Sequence, residues 1–120
     1  MQKGMSLVEL LITLAMVGVL ISFALPTYQQ QQIKAYRTAG QSLLLHYANT
    51  QAEFMLERGE YMGADELNMR TTQRYKFEVL MRSKTSFILQ ATAQNQQSQD
   101  TGCEVMSIDQ SMLRLPIGCW

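Results

Sequence analysis

The chain has 120 residues, with ten lysines and arginines against ten aspartates and glutamates, one histidine and two cysteines. A net charge near zero argues against wholesale nucleic-acid binding and leaves room for local patches only. Apolar residues concentrate at the amino-terminal end while the rest is rich in Gln, Ser and Thr, so residues 33–120 can form one small domain with a limited core.

Met5 to Leu25 is apolar apart from Glu9 and a few small or hydroxylated residues, behind a short leader whose one cation is Lys3. As a helix this run would reach about 32 Å at 1.5 Å per residue, enough to cross a hydrocarbon core of about 30 Å. A secretory signal has a longer basic region and a small-residue cleavage site after its apolar run. Here the possible cut, at Lys3-Gly4-Met5, comes before it, so a cleaved chain would keep its anchor. Glu9 is anomalous, because a carboxylate near the bilayer centre costs roughly 2.5 to 3.5 kcal/mol. Two readings stand: Glu9 snorkels to the headgroups of a plain anchor, or it meets the amine that cleavage would create at Met5. That amine would lie about one helical turn away, on the same subunit or a neighbour, and the pairing would set the register between parallel helices.

Pro26 sits within what should be one long helix and is expected to bend or locally melt it around Ser22 to Pro26; alternatively the anchor simply ends there. Gln29 to Gln32 can carry the helix onward. Tyr36, Gly40, Leu43, Tyr47 and Phe54 then form an apolar stripe, with Leu44, Ala48 and Met55 beside it and Lys34, Arg37, Gln41, Asn49, Glu53 and Glu57 largely outside it. This amphipathic stretch should run to about Arg58 and stop at Gly59 in a left-handed conformation. His46 reads as a surface or edge residue.

Glu60 to Thr72 has no clean period and connects helix to sheet. Tyr75, Phe77, Val79 and Met81 alternate with Lys76, Glu78, Leu80 and Arg82, a half-buried strand with one apolar residue on its polar face. Ser83 to Thr85 can turn the chain into a second strand, on which Phe87, Leu89, Ala91 and Ala93 alternate with Ile88, Gln90 and Thr92. Gln94 to Gly102 reads as a polar loop needing no core residue. Cys103 to Ile108 is a third strand; Asp109-Gln110-Ser111 turns it into a fourth at Met112 to Leu115, which Pro116 ends.

Gly4-Met5-Ser6-Leu7-Val8-Glu9-Leu10, followed by an apolar run to Pro26-Thr27-Tyr28, resembles the class III leader and helix of type IV pilins, in the short-leader type IVa group. Met5 and Ser6 stand where that family mostly has phenylalanine and threonine. Glu57-Arg58-Gly59-Glu60-Tyr61 is similar to the helix end of its small minor members. Gly102-Cys103-Glu104-Val105 and the ending Ile117-Gly118-Cys119-Trp120 are similar to the subgroup that includes DNA-uptake receptors.

The resemblance implies an α+β pilin fold, in which a long kinked N-terminal helix packs on a four-stranded antiparallel sheet. It implies a leader at 1–4, a transmembrane and filament-core half-helix at 5–32, and a periplasmic or extracellular head at 33–120. By the same resemblance Gly4 precedes the prepilin peptidase cut, Met5 becomes the N-methylated terminus, and Glu9 supports assembly. Partners would be other pilin subunits, the prepilin peptidase, an inner-membrane assembly platform, the membrane before assembly, and DNA in the receptor case. The chain would start in the inner membrane and end in a surface pilus.

With Lys3 on the cytoplasmic side, the carboxy-terminal part faces a compartment that permits disulfides. Cys103 and Cys119 are therefore expected to bond, closing a loop worth roughly 3 kcal/mol; two free thiols or a metal pair is the other reading, with His46 distant and no Cys-x-x-Cys. Trp120 would cover the bridge. No phosphate-binding glycine loop, nucleophile set or metal-ligand spacing is present, so neither an enzyme nor a cofactor is expected.

The expected function is that of a minor pilin supporting pilus biogenesis or function in twitching, adhesion or DNA uptake. Alternatives are a DNA-binding uptake receptor, a major pilin and a type II secretion pseudopilin. Arg70, Arg74, Lys76, Arg82 and Lys84 face only Glu78 across residues 70–84. On the first strand and its turns they are candidate contacts for DNA phosphates, or else a solvated strand face whose cations protect a sheet edge.

Overall fold

A computed structural model of the chain describes Gly4 and residues 6–120. Its elements are α1 (Leu7–Arg58), β1 (Tyr75–Arg82), β2 (Phe87–Ala93), a 3-10 turn at Asn95–Gln99, β3 (Val105–Asp109), β4 (Arg114–Leu115) and a final 3-10 turn at Ile117–Cys119. The chain divides into two units, one ending at Gln32 and one running from Ile33 to Trp120.

In the first unit, α1 begins at a reciprocal cap. The Ser6 hydroxyl accepts from the Glu9 backbone N–H at 3.2 Å, and the Glu9 carboxylate accepts from the Ser6 N–H at 3.1 Å. Two of the orphan donors at the helix start are satisfied in this way. Helical structure is continuous through Pro26, so of the two effects expected around Ser22 to Pro26, a bend or local melting, the melting does not occur. Ser22 and Thr27 return their hydroxyls to carbonyls one turn back, at Gly18 and Phe23. The apolar segment reaches a mean hydropathy of 2.4 and is long enough to cross a membrane. Among the described residues none of its side chains is buried, Leu20 and Phe23 being about 70% exposed.

In the second unit, the rest of α1 buries Gly40, Leu44, Tyr47, Ala48 and Gln51, a helical stripe at i, i+4, i+7, i+8 and i+11. It lies against a sheet in the order β1-β2-β3-β4 with every neighbour antiparallel. Leu44, Phe87, Leu89, Ala91, Met106 and Ile108 form the centre of the core. A Cβ at Gly40 would stand 2.8 Å from the Tyr75 ring, so glycine is what lets the buried Tyr75 lie on the helix. Gly59 stops the helix with φ +75°, its N–H donating to Met55, as expected for a left-handed C-terminal residue.

The sheet and its connections depart from the sequence expectation in four places. A bulge between Val79 and Met81 leaves Leu80 without a partner on β2, which accounts for the apolar residue on the polar face: the extra residue resets the alternation. β3 begins at Val105 rather than Cys103, and β4 shrinks to Arg114–Leu115. Residues 110–113 are taken up by the turn instead, because the Asp109 carboxylate accepts from the Ser111 and Leu113 N–H groups at 2.9 and 3.0 Å. Met112 adopts φ +62° there. Finally, Gln94 to Gly102 is not a coreless loop: it contains a 3-10 turn whose Gln97 is fully buried and whose flanking Asp100 is nearly so.

Candidate functional site

Several side chains on the nominally polar side of α1 hold the second unit together. Arg37 and Gln41, expected outside the buried stripe, both reach across to the sheet side. The Arg37 guanidinium forks onto Asp100, Nε meeting Oδ2 at 2.7 Å and Nη2 meeting Oδ1, a bidentate charge-assisted pair. The hydrogen bond to Asp100 pushes the arginine further up from its already high pKa. Gln97 Nε2, three residues before Asp100, donates to the Ile33 carbonyl at 2.8 Å and to the Tyr75 hydroxyl at 3.0 Å. Burial pushes the Tyr75 phenol up, and the Gln97 hydrogen bond partly opposes it.

Farther along α1, Gln51 pairs with both backbone groups of Met62, its Oε1 accepting from the N–H and its Nε2 donating to the carbonyl, each at 2.7 Å. Gln41 Nε2 donates to the Cys119 carbonyl at 2.6 Å. Periodicity missed these residues because it treats glutamine and arginine as solvent-facing. The only available signal was that Gln51 falls in the stripe of Leu44, Tyr47 and Phe54.

Cys103 and Cys119 are bonded, with Cα atoms 5.9 Å apart, as the sequence led us to expect. Trp120 anchors the end of the chain by donating its indole N–H to the Leu115 carbonyl at 3.1 Å. The Ser111 hydroxyl and the backbone N–H groups on Asp109 hold its carboxyl below the usual range. His46 is exposed beside the Tyr47 ring. Among the described residues no three His, Cys, Asp or Glu side chains could share a metal ion.

The five candidate cations do not form one patch. Lys76 pairs with Glu78 at 3.0 Å on the outer face of β1. Arg70 is exposed, and its backbone N–H reaches the Tyr47 hydroxyl. Arg82 and Lys84 share a cleft with Glu60 and Glu66 at the β1–β2 turn, acids that the window 70–84 left out. Arg74 lies near the other end of β1, roughly 25 Å away along an eight-residue strand. Its guanidinium stands 4.1 Å from the centre of the Tyr36 ring, at the mouth of a cleft of about 250 Å³ walled by Ala39, Leu43 and Phe77.

The expected processing site falls at Gly4 and Met5, and Met5 lies outside the described residues. Glu9 is exposed and engaged by Ser6.

Two family models match the chain. Residues 1–25 match the prokaryotic N-terminal methylation motif, and residues 26–107 match the family model described as type IV minor pilin ComP, DNA uptake sequence receptor. Two fimbrial proteins of Neisseria meningitidis, from serogroups B and A, are each 36% identical, over 63 and 61 residues. Those matches take in about half of this chain but only 37% and 36% of the relatives' own length. In fold, the chain is similar to a type IV pilin of Shewanella oneidensis, with TM-score 0.64, 24% identity, and coverage of 73% of this chain and 97% of that one. It is also similar to the N. meningitidis non-core minor pilin PilV, with TM-score 0.56, 16% identity, and coverage of 70% and 85%.

Proposed function

Since the chain belongs to the type IV minor pilin ComP family, we propose that it is a minor subunit of a type IV pilus whose head contacts DNA during uptake. The observation that carries this reading is the match of residues 26–107 to a family model described by its DNA uptake sequence receptor. The division of labour along the chain supports it. Residues 1–4 are the leader removed by a prepilin peptidase at Gly4, and Met5 is the methylated terminus of the mature subunit. The apolar half of α1 sits in the inner membrane before assembly and packs among other pilin helices afterwards, guided by an assembly platform. Glu9 meets a neighbour's terminal amine, exchanging its bond to the Ser6 N–H for a charged partner.

The head is then displayed in the periplasm or on the filament surface. DNA phosphates meet the cations of β1 and its flanking turns, Arg70, Arg74, Lys76, Arg82 and Lys84, and the affinity should fall steeply with salt as counterions are released.

The test is to purify the full chain in zwitterionic micelles and titrate it against duplex and single-stranded DNA over a range of salt. In parallel, its abundance relative to other pilins in sheared filaments is counted by mass spectrometry. Salt-sensitive binding together with low copy number supports the reading. A chain that dominates the filament is its structural subunit, and a chain that binds no DNA at low salt is not a receptor.

A further inference from the structure

We infer that the cleft under the Tyr36–Arg74 stack accepts an unpaired nucleobase, so that the DNA bound by the head is single-stranded or locally opened at this point. The inference rests on the DNA-contacting function proposed above and names the site and the form of the DNA.

Four observations converge here. The first is shape and chemistry. A cleft of about 250 Å³ lined by Tyr36, Ala39, Leu43 and Phe77 with Arg74 at its mouth is sized for one ring system rather than a larger ligand. Its walls are apolar and aromatic, and its rim is cationic. A flat base with a phosphate attached satisfies both, whereas an aliphatic side chain from another subunit would cover Arg74 without supplying an anion.

The second is the platform. Tyr36 is on the rigid helix yet 42% exposed, and the Arg74 guanidinium lies 4.1 Å from its ring centre. A base can extend such a stack whatever its identity, because every base has a π-face.

The third is preorganisation. The segment that carries Arg74 is pinned on several sides. Thr72 N–H donates to the Tyr75 carbonyl at 2.9 Å, and Thr72 Oγ1 accepts from the Arg74 and Tyr75 N–H groups at 3.2 and 3.0 Å. Gln94 Nε2 holds the Thr72 carbonyl, and Asn95 Nδ2 holds the Gln73 carbonyl at 2.7 Å. Little ordering is left for a ligand to impose. Asn95 also extends the site, since a second cleft shares Gln73 and Arg74 and adds Asn95 and Gln96, side chains able to donate to and accept from base edges.

The fourth is charge. Arg37 pairs with Asp100 and Lys76 with Glu78, and the Glu104 carboxylate accepts from the Gly102 N–H, so the acids at this end of the sheet are already engaged. At the opposite end Arg82 and Lys84 share their cleft with Glu60 and Glu66. An anion is favoured at Arg74.

The experiment uses the full chain in zwitterionic micelles and oligonucleotides carrying one 2-aminopurine, either unpaired or within a perfect duplex. The wild-type chain should quench the unpaired reporter on binding and leave the paired one bright. Tyr36→Ala should weaken single-strand binding about tenfold or more, Tyr36→Trp should preserve it, and Arg74→Lys should fall between. An Arg114→Ala variant, on β4 at the opposite edge of the sheet from β1, should leave the quenching intact. Melting curves establish that each variant is folded.

If the chain binds no DNA of either form, the receptor function fails and this site fails with it. If it binds duplex as tightly as single strands, without quenching and without loss in Tyr36→Ala, only the base site is overturned. Loss of filament incorporation in Tyr36→Ala with DNA affinity unchanged would identify the cleft as a contact between subunits, which also overturns it.

Discussion

The two halves of α1 put hydrophobicity and burial in opposite places. From Leu7 to Gln32 the helix is strongly apolar and buries nothing, whereas from Ile33 to Arg58 it is rich in polar residues and buries Gly40, Leu44, Tyr47, Ala48 and Gln51. Apolar surface gains only when something takes it out of water, and no side chain from Leu7 to Gln32 is buried. The second half shows how a small head economises on core: it has few large apolar residues, so arginine and glutamine side chains fasten loops to the helix through buried hydrogen bonds, with only the Gln97 Oε1 among their buried atoms left without a partner.

If those polar fasteners hold the head, removing one should cost as much as a core truncation. Arg37→Ala leaves the nearly buried Asp100 carboxylate without its guanidinium, and we expect a loss of about 3 kcal/mol or more in head stability, read by chemical denaturation. A loss below about 1 kcal/mol, the level of an exposed pair, would show that Asp100 is solvated. Cys103→Ser should cost roughly 2 to 5 kcal/mol, centred near 3, and render the carboxy-terminal segment protease-sensitive; an unchanged melting curve would mean the bridge contributes nothing. Gly40→Ala sets a helix-propensity gain of up to about 1 kcal/mol against overpacking of about 1 to 3 kcal/mol on the Tyr75 ring. A net destabilisation of about 1 kcal/mol is expected, and a stabilised variant would show that the ring moves aside freely.

A smaller effect should appear with pH. Tyr75 has its phenol pushed above the ordinary value of 10.0, so its contribution is complete below pH 10. It is lost as pH rises through the folded-state value, because the unfolded chain ionises first. Tyr75→Phe should flatten this alkaline limb, and an identical limb in the variant would assign it to other groups. The last prediction is of no effect on the head at all. Glu9→Val should leave head melting and membrane insertion unchanged while impairing incorporation into filaments, measured in sheared material. Normal incorporation would remove Glu9 from assembly.

The same contrast decides what could be read from sequence. Apolar period alone placed Leu44, Tyr47 and Ala48 inward, ended the helix at Arg58, and paired β1 with β2, because these follow from local spacing and from Gly59. Glu9 and the run to Pro26 were legible as a family signature. Gln51, Gln97 and Asp100 were not, since burying a polar side chain is worthwhile only if a distant backbone group or counter-charge lies within reach, and composition carries no record of that. The charge balance over residues 70–84 is local for a related reason: a strand separates the two ends of that window, and the loop before it brings Glu60 and Glu66 beside Arg82 and Lys84.

The position of the bridge has a mechanical consequence. β4 holds to β3 through two residue pairs only, Ser107 with Leu115 and Ile108 with Arg114, so tension applied at Trp120 would peel it off first. Cys119 instead carries such a load covalently to Cys103, just ahead of β3, whose five-pair ladder with β2 then resists in shear. A weak edge strand is thereby taken out of the path of such a load.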